Sequence, residues 1–493
     1  MTTITAGFAR ADLAPCIHDG TGFRRPLEAT AAWIEGDGAL VALVALDLIE
    51  LPPLFCEQVC RAAAVRLGIQ PESILLHTTH THTAPWDREL GSGVALDGLD
   101  RIVAQVVAKA RTAAQPAAIR VGQRDVGSRL SVYRRGDAGP ELGCQTFWFG
   151  YQYRDGDPRA DASALANDMR SRWLGKGADY RPGLEPIWFD HAVDGLVQAM
   201  SFESASGQTL GTLVRFAAHP HLASACRNRL YDPDYPVAAC DTVRQKLGGE
   251  CLFLLGPAAD LVPREHVTYE VDQAHVRGPG YFGPSSALVA QSDAHVLAEM
   301  NRIGRELGEA ALDALSDAAP EQLTALAAIC RPFAAPLGPL LPPSRSEINR
   351  MRRPLLDEYQ SYLRRGGSVR ELRLLANRMN WLEWAATKSL NLLSDQERAA
   401  GAKEMPVWAV RINQTRMAFM HSEIAMETSE RLRTDTADPG LWTISLTGGS
   451  LEYLPTAEMI DEGGYEGRST VVSRDAEEKL RAQLGTMLRE IGA

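Results

Sequence analysis

The sequence predicts an α/β fold in which mixed sheets are flanked by helices and interrupted by a helical insertion. Three features predict it: short apolar runs typical of buried strands, polar clusters at the ends of those runs, and helical patterns between them. The chain has 493 residues, of which 45% are hydrophobic and 23% are charged, as in ordinary folded proteins. We expect a single domain over residues 1–493, because α/β folds often run long as single units.

The predicted strands are short apolar runs bounded by Gly, Pro or polar residues. They are Ala39–Leu46, Ser73–Leu76, Thr212–Ala218, Cys251–Leu255, Arg416–Met420 and Leu441–Leu446. Helical patterns are predicted over Leu54–Leu67 and Ser285–Leu315. Ligands of open α/β sheets bind beyond the carboxyl ends of the strands, so we expect the polar clusters at these ends to form a site.

Two segments depart from this alternation. Phe147–Arg181 is rich in aromatic and charged residues without clear periodicity, which predicts a lid or loop insertion at about residues 145–182. Leu340–Leu393 is helical and Arg-rich and predicts a helical insertion at about residues 340–395. Within it, Gly366 and Gly367 are expected to separate two helices.

Composition narrows the function classes. The formal net charge of −11 argues against a nucleic-acid partner, because phosphate binding needs clustered Lys and Arg. The eight cysteines are scattered without a CxxC pair, so neither a thiolate zinc site nor a disulfide framework is indicated. The longest apolar run, Ala39–Leu46, is too short for stable membrane insertion, and Met1–Ala14 does not have the pattern of a secretion signal. We expect a cytoplasmic protein and leave a homo-oligomer open.

The strongest local motif is the histidine-rich segment Thr79–Pro85. On an extended segment, residues two apart point to the same side, so the imidazoles of His80 and His82 can face one cavity. Imidazole is a good zinc ligand, and zinc lowers the pKa of a bound water to about 7. The alternative is a polar loop with coincidental histidines. Five of the eleven histidines favour the metal hypothesis by clustering at two strand ends: His77, His80, His82, His219 and His221.

Several carboxylates follow predicted strands and have two interpretations each. Glu423 can bind a metal or act as a base, or it can simply place a favourable charge at a helix N-terminus. Asp234 is expected to cap a helix. Asp260 with Arg264 is expected to form an internal salt bridge or to anchor a loop, and Asp47 to accept backbone hydrogen bonds.

Taken in order, several segments resemble the N-terminal catalytic domain of the neutral/alkaline (non-lysosomal) ceramidase family. The matching segments are Thr79–Pro85, Phe216–Pro220, Asp234–Pro236, Phe253–Arg264, Glu452–Thr456 and Gly463–Gly467. The agreement of several ordered motifs, in patches over roughly residues 5–475, is far more specific than any one motif.

The resemblance implies a Zn²⁺ ion held by His80, His219, Glu423 and Tyr453. His82 would then face the substrate and hydrogen-bond its carbonyl or leaving group. The family also places an arginine from a later segment near the scissile group. Arg129 and Arg134 both match that arginine, and the sequence does not choose between them.

This chain departs from the family pattern in several places. His421 and Ser422 stand where the family usually has Pro-Gly, and His221 adds an imidazole beside His219. The chain is also expected to lack the family's C-terminal immunoglobulin-like domain. Together with the missing secretion signal and the lid segment, this favours a smaller and more polar substrate than ceramide.

The function expected from these features is zinc-dependent hydrolysis of an amide bond, in an N-acyl amine or related small amide, with a lipid amide also open. The alternatives are a zinc-dependent esterase or lactonase, since the same chemistry serves any acyl group, and a two-metal phosphoesterase using Asp47, Asp234 and Asp260. A metal-binding but inactive interaction module is a third class.

Overall fold

The structure is a computed structural model of the chain. It describes residues 4–85, 96–137, 144–146, 187–188, 193–267, 269–271, 288–338, 342, 344–366 and, within 371–492, all except 372, 373, 376, 377, 380 and 383–385. The predicted lid at about 145–182 therefore lies almost entirely outside the described residues.

Twenty-two strands lie in the described part of the chain. They are β1 (Thr5–Asp12), β2 (Glu28–Gly36), β3 (Ala39–Leu46), β4 (Ile74–Thr78), β5 (Gln115–Asp125), β6 (Ser131–Tyr133), β7 (Arg135–Asp137), β8 (Cys144–Thr146), β9 (Ile187–Trp188), β10 (Leu196–Ser204), β11 (Thr209–Phe216), β12 (Glu250–Leu255), β13 (Leu261–Pro263), β14 (Tyr269–Val271), β15 (Leu288–Ala290), β16 (Glu321–Gln322), β17 (Leu326–Pro336), β18 (Ala402–Ile412), β19 (Thr415–Phe419), β20 (Glu423–Ile424), β21 (Trp442–Ile444) and β22 (Tyr453–Leu454).

Eleven α-helices lie in the same described ranges. They are α1 (Pro53–Leu67), α2 (Leu99–Thr112), α3 (Asp234–Leu247), α4 (Asp293–Ser316), α5 (Arg345–Arg365), α6 (Thr387–Leu392), α7 (Asp395–Ala400), α8 (Met426–Asp435), α9 (Ala457–Glu462), α10 (Gly464–Arg468) and α11 (Ala476–Gly492). None of these helices combines the length and the apolar character that crossing a bilayer requires.

The predicted α/β class with mixed sheets is confirmed. A nine-stranded sheet has the order β12-β11-β10-β5-β1-β2-β3-β4, with β16 added on β5. The pairs β3–β4 and β11–β12 are parallel and the other pairs in this sheet are antiparallel. A second sheet has the order β17-β18-β19-β21, in which only β19–β21 is parallel.

The two sheets pack face to face. One apolar core joins Phe8, Phe202 and Leu252 of the large sheet to Trp408 and Phe419 of the second sheet. The outer faces are covered by helices: α1 and α2 pack on β1–β4, α3 and α4 on β10–β12, and α11 on the second sheet. The result is a four-layer arrangement, helices–sheet–sheet–helices, that follows from strands with two apolar faces.

The strand β3 illustrates why the sequence pattern succeeded. Its residues Ala39–Leu46 alternate Ala, Val and Leu without a polar position, and the six residues from Val41 onward are buried. A strand covered on both faces reads as a continuous apolar run. The predicted bounds of this strand therefore agree with the structure.

The helix predicted over Ser285–Leu315 is wrong at its N-terminal end. Leu288–Ala290 forms strand β15, which pairs with β14, and the helix α4 begins only at Asp293. Ser292 caps it by accepting a hydrogen bond from the His295 N–H. The Ser292 cap and the β14–β15 pairing set the start of α4. Neither feature is visible in the apolar pattern of the sequence.

Small residues on α4 allow α3 to approach the strand ends closely. A Cβ on Gly304 would lie 2.5 Å from the Tyr235 carbonyl oxygen, and one on Gly308 would lie 2.8 Å from the Ala239 carbonyl oxygen. The helix α3 thus packs directly on α4, and its Tyr235 hydroxyl donates to Ala218 O at 2.5 Å. This contact fixes the backbone just before His219.

Candidate metal centre

The segment after β4 carries the first histidines. Beyond Thr78 the backbone N–H of Thr79 donates to Leu46 O and that of His80 donates to Leu48 O, both at 2.9 Å. His80 itself has a positive φ of 69°. A non-glycine residue in that region is strained by about 1–3 kcal/mol and persists only where its surroundings hold it. The backbone contacts thus hold the His80 imidazole in one direction.

Both His80 and His219 have one ring nitrogen bound to the backbone. His80 Nδ1 donates to Ile49 O at 2.7 Å, and His219 Nδ1 donates to Leu261 O at 3.1 Å. A carbonyl can only accept, so the proton of each neutral ring lies on Nδ1. The Nε2 lone pairs therefore face the cluster, which is the arrangement that metal-binding histidines require.

Glu423 meets both Nε2 atoms. Its Oε2 lies 3.4 Å from His80 Nε2 and 3.0 Å from His219 Nε2. It belongs to β20, which pairs in parallel with β22 so that Glu423 stands opposite Tyr453. The preceding residue, Ser422, has a positive φ of 69°, which turns the chain sharply between β19 and β20. Glu423 thus meets the two histidines although about 340 residues separate it from His80, and Tyr453 lies beside Glu423.

The charges of this group favour metal binding. Burial alone would raise the pKa of Glu423, but His80 and His219 hold it well below its ordinary value. Burial and Arg134 lower the pKa of His219 to about 4. Burial would also lower the pKa of His80, but Glu423 more than offsets this and raises it. A carboxylate facing imidazole nitrogens is a donor set typical of zinc.

A metal ion fits the donor atoms present. One ligand atom from each of His80, His82 and His219 lies within 4.8 Å of the others; His80 and His219 are buried and His82 is half-buried. The Nε2 atoms of His80 and His219 contact the same Glu423 oxygen. These atoms would surround a single ion, so we treat the cluster as a candidate metal centre.

Arg134 and Tyr453 lie beside the cluster formed by the histidines and Glu423. Arg134 Nη2 donates to Tyr453 Oη at 3.0 Å, and Arg134 Nε donates to Glu466 Oε1 at 2.9 Å. The side chains of Arg134 and Glu466 are both fully buried. Burial and Glu423 raise the pKa of Tyr453, whereas the Arg134 guanidinium acts in the opposite direction and eases ionisation of the phenol. Glu466 also accepts from Arg135 and Thr146, so it fixes the orientation of Arg134.

The structure separates the two candidate arginines. Arg134, which follows β6, is buried against Tyr453. Arg129 precedes that strand, its side chain is 59% exposed, and its nearest carboxylate is Glu306 at 4.0 Å. Because the chain passes from surface to core between them, only Arg134 reaches the cluster.

His82 and His221 lie next to the two candidate histidine ligands, His80 and His219. His82 Nε2 lies 3.4 Å from His80 Nε2, and its backbone N–H donates to Pro220 O at 2.9 Å. Burial and the neighbouring imidazoles hold the pKa of His82 well below its ordinary value. His221 is buried with Nδ1 at 3.0 Å from His219 O, and its ring centroid is 5.9 Å from that of His82. His82 is therefore a neutral imidazole at the edge of the cluster.

His77 has a structural role although it belongs to the same motif. Its Nδ1 donates to Ser445 O at 2.9 Å, and its Nε2 accepts from the Leu255 N–H at 3.1 Å. Both ring nitrogens are used, and burial lowers its pKa to about 3. The ring links β4 to the end of β12 and offers no lone pair to a metal.

The aspartates predicted to be structural accept backbone hydrogen bonds. Asp47 accepts from the Glu28 N–H at 3.0 Å, Asp260 accepts from the Met426 N–H at 3.0 Å, and Asp234 accepts from the N–H groups of Ala223 and Tyr235 at 2.7 Å. Among the described residues, no group that could hold a metal includes any of these three aspartates.

Sequence reasoning missed a second group of acids beside the cluster. Glu50, Glu423 and Glu452 each bring a carboxylate oxygen within 4.8 Å of one another, and Lys388 Nζ forms an ion pair with Glu452 Oε2. Glu50 follows the end of strand β3 and Glu452 directly precedes Tyr453. These positions could have marked both acids as site candidates from the sequence. Lys388 lies in α6, where no sequence feature connects it to the histidines.

The whole architecture has solved counterparts. The crystal structure of neutral ceramidase from Pseudomonas aeruginosa superposes with a TM-score of 0.62 and 15% identity, covering 100% of this chain and 75% of that chain. The fold is ceramidase-like. A ceramidase complexed with C2 gives the same TM-score with 16% identity, over 99% of this chain and 76% of that chain. No protein-family model matches the sequence, and no curated protein matches it. At these identities the ceramidase likeness establishes the fold.

Proposed function

We propose that the chain is a zinc-dependent hydrolase that cleaves the amide bond of an N-acyl amine or a related small amide, with a lipid amide also within reach. The observation that carries the proposal is the meeting of His80, His219 and Glu423, from distant segments, with their donor atoms 3.0–3.4 Å apart. The ceramidase-like fold supports it, because solved structures with this fold include ceramidases.

His80, His219, Glu423 and Tyr453 would hold the zinc. When bound, the ion supplies Lewis-acid activation of a water and of the scissile carbonyl. The chain's own residues supply the rest. The two Nδ1–H···O=C contacts fix the tautomer and direction of the imidazoles, so the donor atoms are in place before substrate arrives.

Arg134 and His82 would act on the substrate side. The buried Arg134 guanidinium places a permanent positive charge beside Tyr453, where it can stabilise the negative charge that develops on an acyl oxygen. Burial and the neighbouring imidazoles keep the pKa of His82 low, so its neutral ring can hydrogen-bond the carbonyl or the leaving group of the substrate. Removing one such donor typically costs about 2.7–4 kcal/mol of transition-state stabilisation.

The experiment combines metal analysis with a substrate panel. The purified full-length chain is analysed for zinc, then assayed against N-acyl amines of increasing acyl length and against ester and lactone isosteres. We expect one zinc ion per chain and the highest kcat/KM on amides. A chain that binds no zinc, or zinc-loaded chain without turnover on any amide, would contradict the proposal.

The panel also separates the alternatives. Faster turnover of esters or lactones than of amides assigns the chain to the esterase class, since a metal-activated water attacks any acyl group. Two transition-metal ions with phosphoester hydrolysis would favour the phosphoesterase, although Asp47, Asp234 and Asp260 already accept backbone hydrogen bonds. Zinc loading without turnover on any substrate assigns the chain to a metal-binding interaction module.

The role of His82 has its own test. His82→Ala should keep bound zinc because His80, His219 and Glu423 remain, while kcat falls by about 10²-fold or more. His221→Ala is the matched control, because it removes a neighbouring buried imidazole. Unchanged kcat in His82→Ala would remove the proposed role.

A cytoplasmic location is part of the proposal. Seven cysteines of the described ranges are free thiols, which is typical of proteins from a reducing compartment: Cys16, Cys56, Cys60, Cys226, Cys240, Cys251 and Cys330. Fractionation with a thiol-labelling reagent would test this, and disulfide-bonded chain in an exported fraction would contradict it.

A further inference from the structure

The carboxylate side of the centre carries more negative charge than one metal ion would need. Glu50 and Glu452 bring oxygens within 4.8 Å of an oxygen of Glu423, the same residue that meets His80 and His219. Two candidate cation positions thus share Glu423, with imidazoles on one side and carboxylates on the other. A carboxylate that bridges two such positions is the arrangement of two-metal hydrolases.

A lysine already lies on the carboxylate side. Lys388 Nζ forms an ion pair with Glu452 Oε2, and the two side chains are only 11% and 5% exposed. Burial alone would lower the pKa of Lys388, but Glu452, Glu50 and Glu423 together raise it. The ammonium therefore contacts Glu452 and is attracted by the charges of Glu50 and Glu423.

The position of Lys388 is fixed by its helix. It lies in α6, whose Ser389 carbonyl oxygen accepts from Arg398 Nη1 at 3.1 Å, and Leu392 of the same helix packs in the core of the second sheet. The helical insertion thus reaches into the centre and holds one positive charge there.

Oxygen atoms remain at this position for a further cation. Glu50 Oε2 and Glu452 Oε1 are buried atoms without a hydrogen-bond partner among the described residues. Carboxylate oxygens are the donors that Mn²⁺ and Mg²⁺ prefer, whereas imidazoles suit Zn²⁺. If all three carboxylates are ionised, the Lys388 ammonium and one divalent ion would together balance their charge.

We propose that Lys388 is a built-in cation that takes the place of a second metal ion beside the zinc, neutralising Glu50 and Glu452 and keeping Glu423 directed at the imidazoles. The inference rests on the proposed function, because it assumes that the histidine side holds one zinc. Lys388 is then a positioning residue, and because it occupies the second cation position, the centre binds one metal ion.

The experiment measures metal stoichiometry. Zinc-loaded wild type and Lys388→Met are incubated with Mn²⁺, desalted and analysed for both metals, with free Mn²⁺ followed by electron paramagnetic resonance. We expect wild type to retain one zinc and no manganese. We expect Lys388→Met to retain one zinc and to bind one Mn²⁺ at least about tenfold more tightly than wild type does.

The matched control is Lys403→Met. The side chain of Lys403 is 11% exposed, like that of Lys388, and it also forms an ion pair with a carboxylate, Glu397. If any lost buried lysine recruited a metal, this control would gain Mn²⁺ as well. We expect it to keep the metal content of wild type. Adding Glu452→Gln to Lys388→Met should remove the new Mn²⁺ site, because one of its oxygen donors becomes an amide.

The outcomes separate this inference from the proposed function. Wild type without zinc overturns both. One zinc in wild type together with no Mn²⁺ in Lys388→Met overturns only the role of Lys388, as does Mn²⁺ retained equally by wild type or by Lys403→Met. If Lys388→Met does not fold, Lys388→Gln is prepared with Mn²⁺ present. Failure of both variants to fold with Mn²⁺, or to bind it, also overturns the inference.

Discussion

Two buried charged regions of this molecule satisfy their polar groups in opposite ways. In the network of Asp194, Arg215 and Arg433, opposite charges meet: Asp194 Oδ2 accepts from Arg215 at 2.6 Å and lies 3.3 Å from Arg433. In the candidate metal centre, atoms that carry lone pairs meet instead: the Nε2 atoms of His80 and His219 converge on one Glu423 oxygen.

The difference separates a structural ion pair from a candidate binding site. The buried pair of Asp194 and Arg215 balances its charges within the chain and needs nothing from outside it. Where the lone pairs of several residues point at a common position, a cation bound there satisfies them. The backbone reflects this as well, because His80, Ser422 and Glu452 have positive φ values of 69°, 69° and 66°. Strain of this kind collects at functional sites.

The largest effect expected from the comparison is the loss of the metal in His219→Ala. It removes one donor and leaves Glu423 without one of its two imidazole partners, so bound zinc and turnover should both disappear. Zinc analysis by mass spectrometry and kcat on the best amide measure this. His77→Gln is the control: it alters a histidine whose nitrogens are both used structurally, so it should lower stability and keep zinc in the folded fraction. Normal zinc content in His219→Ala would remove that ligand from the proposal.

Breaking the closed network should affect stability and leave the metal in place. Asp194→Asn leaves two buried guanidinium groups without their carboxylate and should lower the free energy of unfolding by about 3–5 kcal/mol. Denaturant titration of variant and wild type measures it, and zinc per folded chain should be unchanged. A loss below about 1 kcal/mol, the usual value of surface pairs, would show that this network is not the closed structural region described above.

The same residue gives a pH dependence. Burial alone would raise the pKa of Asp194, but Arg215 and Arg433 hold it below its ordinary value of 3.8. A depressed pKa contributes stability that is complete above the unfolded-state pKa and is lost as pH falls through the folded-state pKa. The stability difference between wild type and Asp194→Asn should therefore be constant above about pH 5 and shrink below about pH 4. A difference that grows on acidification contradicts this assignment.

An intermediate effect is expected at Arg134. Its guanidinium forms a buried ion pair with Glu466 and also contacts Tyr453 beside the candidate metal centre. Arg134→Met should reduce kcat by about 10²–10³-fold, or about 2.7–4 kcal/mol of transition-state stabilisation, with zinc retained. Arg134→Lys keeps the charge but loses the paired geometry, so it should recover part of the rate. An unchanged kcat in Arg134→Met would exclude the guanidinium from catalysis.

The smallest effect is expected at Arg129. Its side chain is 59% exposed and lies 4.0 Å from Glu306, so Arg129→Ala should change the free energy of unfolding by less than about 1 kcal/mol and leave kcat close to that of wild type. Steady-state kinetics beside Arg134→Met measure the contrast directly. A larger loss of kcat in Arg129→Ala than in Arg134→Met would reverse the choice made from the structure.

The sequence was most informative where one local pattern carries the physics. The run Ala39–Leu46 predicted a strand because burial on two faces leaves no polar position. The helix predicted from Ser285 failed at its start, because β15 pairs with β14 and Ser292 caps the helix. Pairing partners and caps are decided by neighbours that the apolar pattern does not include.

The candidate site divides in the same way. The amino-acid sequence by itself determined that the chain forms an α/β fold with histidines and a glutamate at strand ends, because residue type and periodicity are local properties. Only the tertiary structure decided that His77 is structural, that Arg134 and not Arg129 reaches Tyr453, and that Lys388 faces Glu452. These are distances between residues remote in the chain, and they depend on how two sheets and an inserted helix pack together.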